Sequence, residues 1–300
     1  MAEIEDLERL NKVFEMSAMK KLMTKSFLER TISGILLVII ALAAIIYGGQ
    51  VLHGDILLGT MICISLIGCF EFLRVYKMQW KVPGYIVYLA TIAYYLMVRF
   101  EQTEYLMALF IAVMILLMAV YVFTFPKYKA DEMMITYFCL FYVSLMLSYI
   151  YQVRMMPDGA YIVWLIFLCS WGCDTCAYLV GVMFGKHKMA PVLSPKKSIE
   201  GAVGGVVGAA LLGFIYAAIF KENLTISNPE IVFPIVCAVG GVISMIGDLM
   251  ASGIKRNHDI KDYSKLIPGH GGILDRFDSV IITAPIIFYL VVFLKLIHLA

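Results

Sequence analysis

The chain has 300 residues, of which 62% are hydrophobic and only 15% are charged. Soluble domains are closer to half apolar and a quarter charged, so this composition excludes an ordinary soluble domain and indicates a polytopic membrane protein. The net charge of +2 is uninformative by itself, and no nucleic-acid partner is expected. All seven cysteines fall within apolar runs, which predicts small buried side chains and no disulfide framework.

Residues 1–31 form a polar arm that carries six basic residues. An apolar stripe at helical spacing favours an amphipathic helix on the membrane surface, although a partner-binding or solvated arm fits as well. The arm precedes two larger segments. Residues 32–155 hold about five membrane helices, and residues 156–300 hold about four, together with most of the charged loops.

Nine hydrophobic runs are long enough to cross a membrane, for which about 20 mostly apolar residues are needed. The predicted fold is therefore an all-α bundle of about nine transmembrane helices. The sixth run is long enough to tilt or break. The runs are roughly 32–48, 56–74, 82–98, 105–125, 134–153, 160–185, 202–220, 231–251 and 278–298.

The lysines and arginines alternate between the two sides of this predicted bundle. The arm and the loops after the second, fourth, sixth and eighth runs carry 20 of the 24. Cytoplasmic loops are the ones enriched in basic residues. The pattern predicts a cytoplasmic N-terminus and an extracytoplasmic C-terminus.

Two carboxylates are predicted inside membrane helices, where an ionisable group is costly and marks a functional site by default. Glu71 lies near the cytoplasmic end of the second run, and it is either functional or ion-paired with Arg74 one turn later. Asp174 lies deeper, in the sixth run, with no neutralising neighbour in its segment. It must meet another helix, a cation or a water-filled cavity.

Residues 252–279 are the most charged stretch of the C-terminal half, and they include a Gly-His-Gly-Gly turn. Basic side chains suit phosphates, paired aspartates suit Mg²⁺, and glycines let backbone N–H groups approach a ligand. The stretch indicates phosphoryl or nucleotidyl chemistry at a membrane surface, with an ordinary basic cytoplasmic loop as the alternative.

Helical spacing groups the candidate side chains. Asp248, Ser252 and Lys255 share one face of the eighth run, and Asp275 and Asp278 share one face at the start of the ninth. By the predicted topology these carboxylates lie near one membrane depth, together with Glu71.

A second basic loop lies between the sixth and seventh runs. Residues 186–201 contain two prolines, which exclude a continuous helix. Lys197, with neighbouring serines and lysines, is a candidate phosphate ligand, although a positive-inside loop would look the same.

The C-terminal pattern resembles the phosphatidate cytidylyltransferases (CDP-diacylglycerol synthases). Their pattern reads Ser-x-x-Lys-Arg, four residues, Lys-Asp, then Pro-x-His-Gly-Gly-x-x-Asp-Arg-x-Asp. The resemblance is strong over about residues 160–280. The residues that fill the pattern without a gap are Ser252, Lys255, Arg256, Lys261, Asp262, Pro268, His270, Gly271, Gly272, Asp275, Arg276 and Asp278.

The resemblance implies a reaction in which CTP and phosphatidate give CDP-diacylglycerol and pyrophosphate for phospholipid biosynthesis, with Mg²⁺ required. The expected partners are CTP, phosphatidate and membrane lipids, and residues 156–300 form the catalytic region. A two-metal clamp would stabilise the entering and leaving oxygens. We expect Asp248 and Asp275 to bind metal, with Asp278 and Asp174 as further candidates.

The remaining candidates bind phosphate groups. Asp248, Asp275, Asp278 and Lys255 form the predicted catalytic set. His270 either binds phosphate or only supports its turn, and Arg276 could equally pair with a neighbouring aspartate. The predicted substrate-binding residues are Lys197, Ser252, Lys255, Arg256, His270, Gly271, Gly272 and Arg276.

A cation-coupled membrane transporter is the alternative function, because intramembrane Asp174 and Asp248 with glycine-rich helices would suit it. The expected location is a bacterial cytoplasmic membrane with the site facing the cytoplasm. A homo-oligomer is left open.

The orientation can be tested at Ile260, between the last two runs. In Ile260→Cys we expect an impermeant maleimide to label the added thiol in inverted vesicles and not in intact cells, relative to the parent chain. Labelling from outside the cell would overturn the predicted topology.

Overall fold

The computed structural model describes residues 42–49, 51–267, 269 and 271–296. Its fold is a bundle of long helices, each apolar enough to cross a membrane. In the described part these are α1 (Asp55–Val75), α2 (Val82–Arg99), α3 (Leu106–Phe123), α4 (Ala130–Met155), α5 (Gly159–Phe184), α6 (Ile199–Phe220), α7 (Pro229–Asn257) and α8 (Leu274–Leu296).

Eight of the nine predicted spans are confirmed, because each corresponds to one of these helices. The N-terminal arm and most of the first predicted span lie outside the described residues, and residues 42–46 at the end of that span are helical. At the charged C-terminal loop, both flanking helices extend beyond the predicted spans. The helix α7 continues to Asn257, and α8 begins at Leu274, so Ser252, Lys255 and Asp275 all lie on helices.

Two helices contain a π-helical segment, Leu140–Leu145 in α4 and Leu168–Gly172 in α5. A π turn inserts an extra residue, rotates the following side chains and often occurs beside functional sites. The sixth span was predicted to tilt or break; α5 is one helix from Gly159 to Phe184 with this π segment inside it, and a tilt stays a prediction. The π segment directly precedes Cys173 and Asp174.

Small residues let α6 pack closely against α5 and α7. Added to Gly205, a Cβ would lie 3.0 Å from the Cys173 carbonyl oxygen, and added to Gly213 it would lie 2.8 Å from that of Phe233. Such close approach is the usual role of small residues between membrane helices. The buried stripe on α6 consists of Gly201, Gly205, Ala209, Gly213 and Ala217.

The seven cysteines are all free, as predicted. Five are buried and Cys176 is half-buried, but Cys63 is exposed on α1. The prediction of burial was wrong for Cys63. An apolar run in a membrane helix includes residues that face lipid, so a position within such a run is not always buried in the protein.

A short antiparallel hairpin joins α5 to α6. Its strands are β1 (Lys188–Ala190) and β2 (Ser194–Ser198), and the prolines exclude a helix here as predicted. The pairing itself was not predicted. Ser198 then caps α6, since its Oγ accepts a hydrogen bond from the Gly201 N–H at 3.1 Å.

Contacts between helix ends agree with the predicted alternation of the chain. At one end of the bundle Lys81 pairs with Glu132 at 3.3 Å. At the other end Arg99 pairs with Asp55, and the Thr225 N–H donates to Asp158 at 2.9 Å. Which end faces the cytoplasm stays a prediction.

Close packing at α6 gives a stability test. Gly213→Ala would place its Cβ 2.8 Å from both the Cys237 Sγ and the Phe233 carbonyl oxygen. We expect this variant to lower the free energy of unfolding by about 1–3 kcal/mol, measured as a lower thermal midpoint in detergent.

The matched control is Gly59→Ala, whose Cβ meets nothing within 4 Å. The control should not lower the midpoint, because alanine is the better helix former. Equal loss in both variants would contradict the packing argument.

Candidate active site

Asp275 lies in the first turn of α8, with its side chain only 2% exposed. Its Oδ2 accepts hydrogen bonds from the Tyr263 N–H at 2.7 Å and the Gly272 N–H at 2.9 Å. Its Oδ1 accepts one from the Lys255 Nζ at 2.9 Å. A buried carboxylate needs such partners. Asp275 therefore ties the end of α7 and the α7–α8 loop, residues 258–273, to the start of α8.

Lys255 also lies 3.8 Å from the Oδ2 of Asp278. The two aspartates share one face of α8 as their spacing predicted, and one ammonium lies between them. Gly247 makes this crossing of helices tight, because a Cβ added there would be 2.9 Å from the Asp278 carbonyl oxygen. The crossing places Gly247, the residue before Asp248, against the backbone of Asp278 and Ser279.

Asp248 forms an ion pair with Lys197, which reaches it from β2. Asp174 of α5 and Asp248 line the same cavity, whereas Asp278 approaches Lys255. As predicted, Asp248, Asp275 and Asp278 lie towards the connected ends of α7 and α8, where each pairs with a lysine. The predicted candidate Lys197 lies among them.

A cavity of about 630 Å³ opens beside Asp174 and Asp248. This is within the size range of small-molecule sites. The hairpin and α6 line it with polar and small residues, and the exposed Tyr178 and Val182 of α5 line another part. The hairpin residues in its wall are Lys188, Met189, Ser194, Lys196, Lys197 and Ser198.

The other predicted phosphate-binding side chains differ in their exposure and contacts. Ser252 is half-buried, and Arg256 is exposed, with its Nη1 donating to the Ile260 carbonyl oxygen at 3.4 Å. His270 lies outside the described residues. Arg276 is half-buried, and its buried Nε has no hydrogen-bond partner in the described part of the chain. It makes no ion pair there with a neighbouring aspartate.

The two predicted glycine ligands have structural explanations. Gly271 adopts a φ of +84°, in the left-handed region, and its carbonyl oxygen accepts from the Ile267 N–H at 2.8 Å. Gly272 was expected to offer its N–H to a phosphate, but that group donates to Asp275. Phosphate binding through Gly272 would require this bond to be exchanged.

Glu71, on α1, contacts the α7–α8 loop on the side away from Asp275. It is buried and accepts hydrogen bonds from Ser264, Ile273 and Leu274. The alternative of an ion pair with Arg74 was wrong, because Arg74 donates to the Tyr263 carbonyl oxygen instead. Sequence reasoning missed Tyr263 and Ser264. Tyr263 binds Asp275 and Arg74 through backbone atoms, which leave no signal in the sequence, and the Lys255 ammonium lies 5.4 Å from the centre of its ring.

Carboxylates and lysines that converge on one cavity at the ends of membrane helices define an enzyme class that handles phosphate groups. Residues 28–294 match the profile of the Cytidylyltransferase family. The match spans most of the chain, so the protein belongs to this family and is a nucleotidyltransferase.

Curated bacterial relatives agree with the family match. A protein of Bacillus subtilis is 32% identical over 269 residues, covering 87% of this chain and 96% of the relative. One of Staphylococcus epidermidis is 31% identical, covering 86% and 96%. One of Haemophilus influenzae is 42% identical over 132 residues, covering 44% and 46%. Each is named phosphatidate cytidylyltransferase.

The Lys255 pairs give a testable expectation. Lys255→Met keeps the length of the side chain but leaves Asp275 buried without its cation. We expect a loss of about 3 kcal/mol in the free energy of unfolding, measured as a lower thermal midpoint in detergent.

Lys265→Met, at an exposed position of the same loop, is the control and should leave the midpoint unchanged. A Lys255→Met midpoint equal to that of wild type would show that the buried pair contributes nothing to stability.

Proposed function

We propose that this protein transfers a cytidylyl group from CTP to phosphatidate, giving CDP-diacylglycerol and pyrophosphate for phospholipid biosynthesis. The observation that carries the proposal is the ion pair of Asp248 with the hairpin lysine Lys197 beside a cavity that Asp174 also lines. The proposal rests further on the family match and the names of the relatives. No observation favours the transporter alternative, and we do not retain it.

In the proposed reaction a phosphate oxygen of the lipid attacks the α-phosphorus of CTP. A new P–O bond forms, the bond between the α-phosphorus and the bridging oxygen breaks, and pyrophosphate carries away the electron pair. The protein has little covalent work, because phosphoryl-type transfer depends mainly on positioning and charge neutralisation. No nucleophilic side chain is needed, so Ser252 is assigned to substrate positioning.

The lysines supply positive charge for two polyanions. Lys188 and Lys196 are exposed at the cavity and are free to meet a triphosphate from the water side. Lys197 and Lys255 are held by aspartates. Their ammonium groups can turn towards phosphate when substrate enters, because an ion pair with one anion can be exchanged for another. The half-buried Arg276 is assigned the same role.

The cavity also supports a lipid substrate. Tyr178 and Val182 lie on the outer surface of α5 and are 70% and 69% exposed, so this part of the wall faces the membrane. Asp174 and Asp248 belong to the same cavity. A headgroup could enter sideways while its acyl chains stay among lipids, which is compatible with irregular backbone lining a polar hollow.

Mg²⁺ is the proposed cofactor. In nucleotide sites this ion is usually bound by one or two carboxylates together with substrate phosphates. The described residues contain no cluster of three or more acidic, histidine or cysteine side chains that could hold a metal by themselves. Asp174 and Asp248 line the cavity, so one or both could hold an ion whose coordination the phosphates of CTP would complete.

Bound Mg²⁺ would neutralise the triphosphate and stabilise the oxygens that enter and leave. Asp275 stays a predicted ligand, and to bind metal its Oδ1 would have to exchange Lys255 for the cation. A second metal also remains a prediction.

The proposed location is a bacterial cytoplasmic membrane with the cavity open to cytosolic CTP. It rests on the bacterial relatives and on the distribution of basic residues. A homo-oligomer remains open.

The activity is tested with purified protein, CTP labelled in the α-phosphate, phosphatidate and Mg²⁺. We expect a labelled lipid that requires all three additions, and none when diacylglycerol replaces phosphatidate. In Asp248→Asn we expect kcat to fall at least ~100-fold, because the carboxylate that holds Lys197 and would bind Mg²⁺ loses its charge.

Asp131→Asn, an exposed acid in the first turn of α4, is the matched control and should keep wild-type turnover. A wild-type protein that forms no labelled lipid would refute the proposed function. Near-wild-type turnover by Asp248→Asn would remove Asp248 from the site.

A further inference from the structure

Glu71 is a buried carboxylate for which the proposed chemistry has no use. It lies on α1, in the N-terminal half of the chain, and is 2% exposed. An ionised group at this depth is costly unless it is fully paired. Its partners therefore indicate what it does.

All of these partners belong to the α7–α8 loop and the start of α8. Oε1 accepts from the Ser264 Oγ at 2.5 Å and from the Ile273 N–H at 3.1 Å, and Oε2 accepts from the Leu274 N–H at 2.8 Å. The first N–H groups of a helix lack partners within the helix, and its N-terminus favours negative charge. Glu71 thus caps α8 from another helix.

Two neighbouring contacts make this joint specific. A Cβ on Gly272 would lie 2.5 Å from the Glu71 Oε2, so glycine is needed for the carboxylate to approach this closely. One turn after Glu71, Arg74 donates to the Tyr263 carbonyl oxygen. We call Glu71 and Arg74 the α1 clamp.

The clamp and Asp275 hold the same piece of backbone from two sides. The N–H groups of Tyr263 and Gly272 bind Asp275, while the Tyr263 carbonyl oxygen binds Arg74. Leu274, which is capped by Glu71, directly precedes Asp275. A shift of the loop or of the first turn of α8 would therefore move Asp275 relative to Lys255.

We propose that Glu71 is a positioning residue for cytidylyl transfer: through the start of α8 it fixes Asp275 and Asp278 relative to Asp248. The inference rests on the proposed function. Glu71 touches no substrate in this scheme and acts only through the loop and the helix that it caps. A displacement of about 1 Å in a reacting arrangement can cost ~100-fold in rate.

The test replaces the carboxylate by an amide of the same size. In Glu71→Gln, one oxygen can still accept from Ser264 and Ile273, but the NH₂ group then faces the Leu274 N–H, donor against donor. We expect kcat per folded molecule to fall ~10- to 100-fold, while KM for CTP changes little because Lys196 and Lys197 belong to the hairpin.

A second measurement does not depend on activity. Lys261 and Lys265 are exposed in the α7–α8 loop. We expect trypsin to cut after them ~10-fold faster in Glu71→Gln, because the loop has lost charge-assisted hydrogen bonds that hold it. Mass spectrometry of the fragments identifies the cut sites.

Glu132→Gln is the matched control, since it removes a carboxylate that pairs with Lys81 at the same end of the bundle. It should leave kcat and the loop cleavage unchanged. Ser264→Ala is a milder second variant, to be used if Glu71→Gln does not fold. It removes one donor to Glu71 and leaves the hydrogen bonds from the backbone N–H groups of Ile273 and Leu274. We expect a smaller fall in kcat, and little further loss when it is combined with Glu71→Gln.

Wild-type kcat per folded Glu71→Gln molecule would overturn the inference, even if the variant is less stable, and so would a rise in KM alone. If Glu71→Gln does not fold, unchanged kcat and cleavage in Ser264→Ala would overturn it. These outcomes differ from failure of the proposed function, in which wild type itself makes no labelled lipid.

Discussion

A carboxylate inside a membrane bundle must meet a cation or a set of hydrogen-bond donors, and the described acids of the site satisfy this requirement in both ways. Asp248 on α7 is neutralised by Lys197 from the hairpin, and Asp275 on α8 is neutralised by Lys255 from α7. Because each pair joins two segments, neutralisation also sets where the helix ends lie. The charges that suit a polyanionic substrate are thus the same charges that assemble its cavity.

The helices and the convergence of the acids could be predicted because both depend on local features of the chain. The apolar runs determined the spans, and a spacing of three placed Asp275 and Asp278 on one helical face. The alternation of basic loops brought that face to the same end of the bundle as Asp248. The glycines on α6 could also be interpreted, since small residues at four-residue spacing have one common use in membrane helices.

The remaining contacts of the site could not be predicted, because they involve backbone groups or residues far apart in the sequence. Asp275 is held by two backbone N–H groups, and a backbone N–H is present at nearly every position. Glu71 and Leu274 are 203 residues apart in the sequence. Local spacing therefore indicated only Arg74, one helical turn away, as a partner for Glu71. The two prolines excluded a helix between Lys188 and Ser198, but they did not indicate which strands would pair.

The cap on α8 also limits how such enzymes can be recombined. A chimaera joined in the connection between α4 and α5 would keep every predicted substrate-binding residue from one parent. Glu71 would come from the other parent, although it sits 2.5 Å from where a side chain at Gly272 would begin. Positions 71 and 272 must therefore be inherited as a matched set, so the N-terminal helices are not an exchangeable anchor for the C-terminal half.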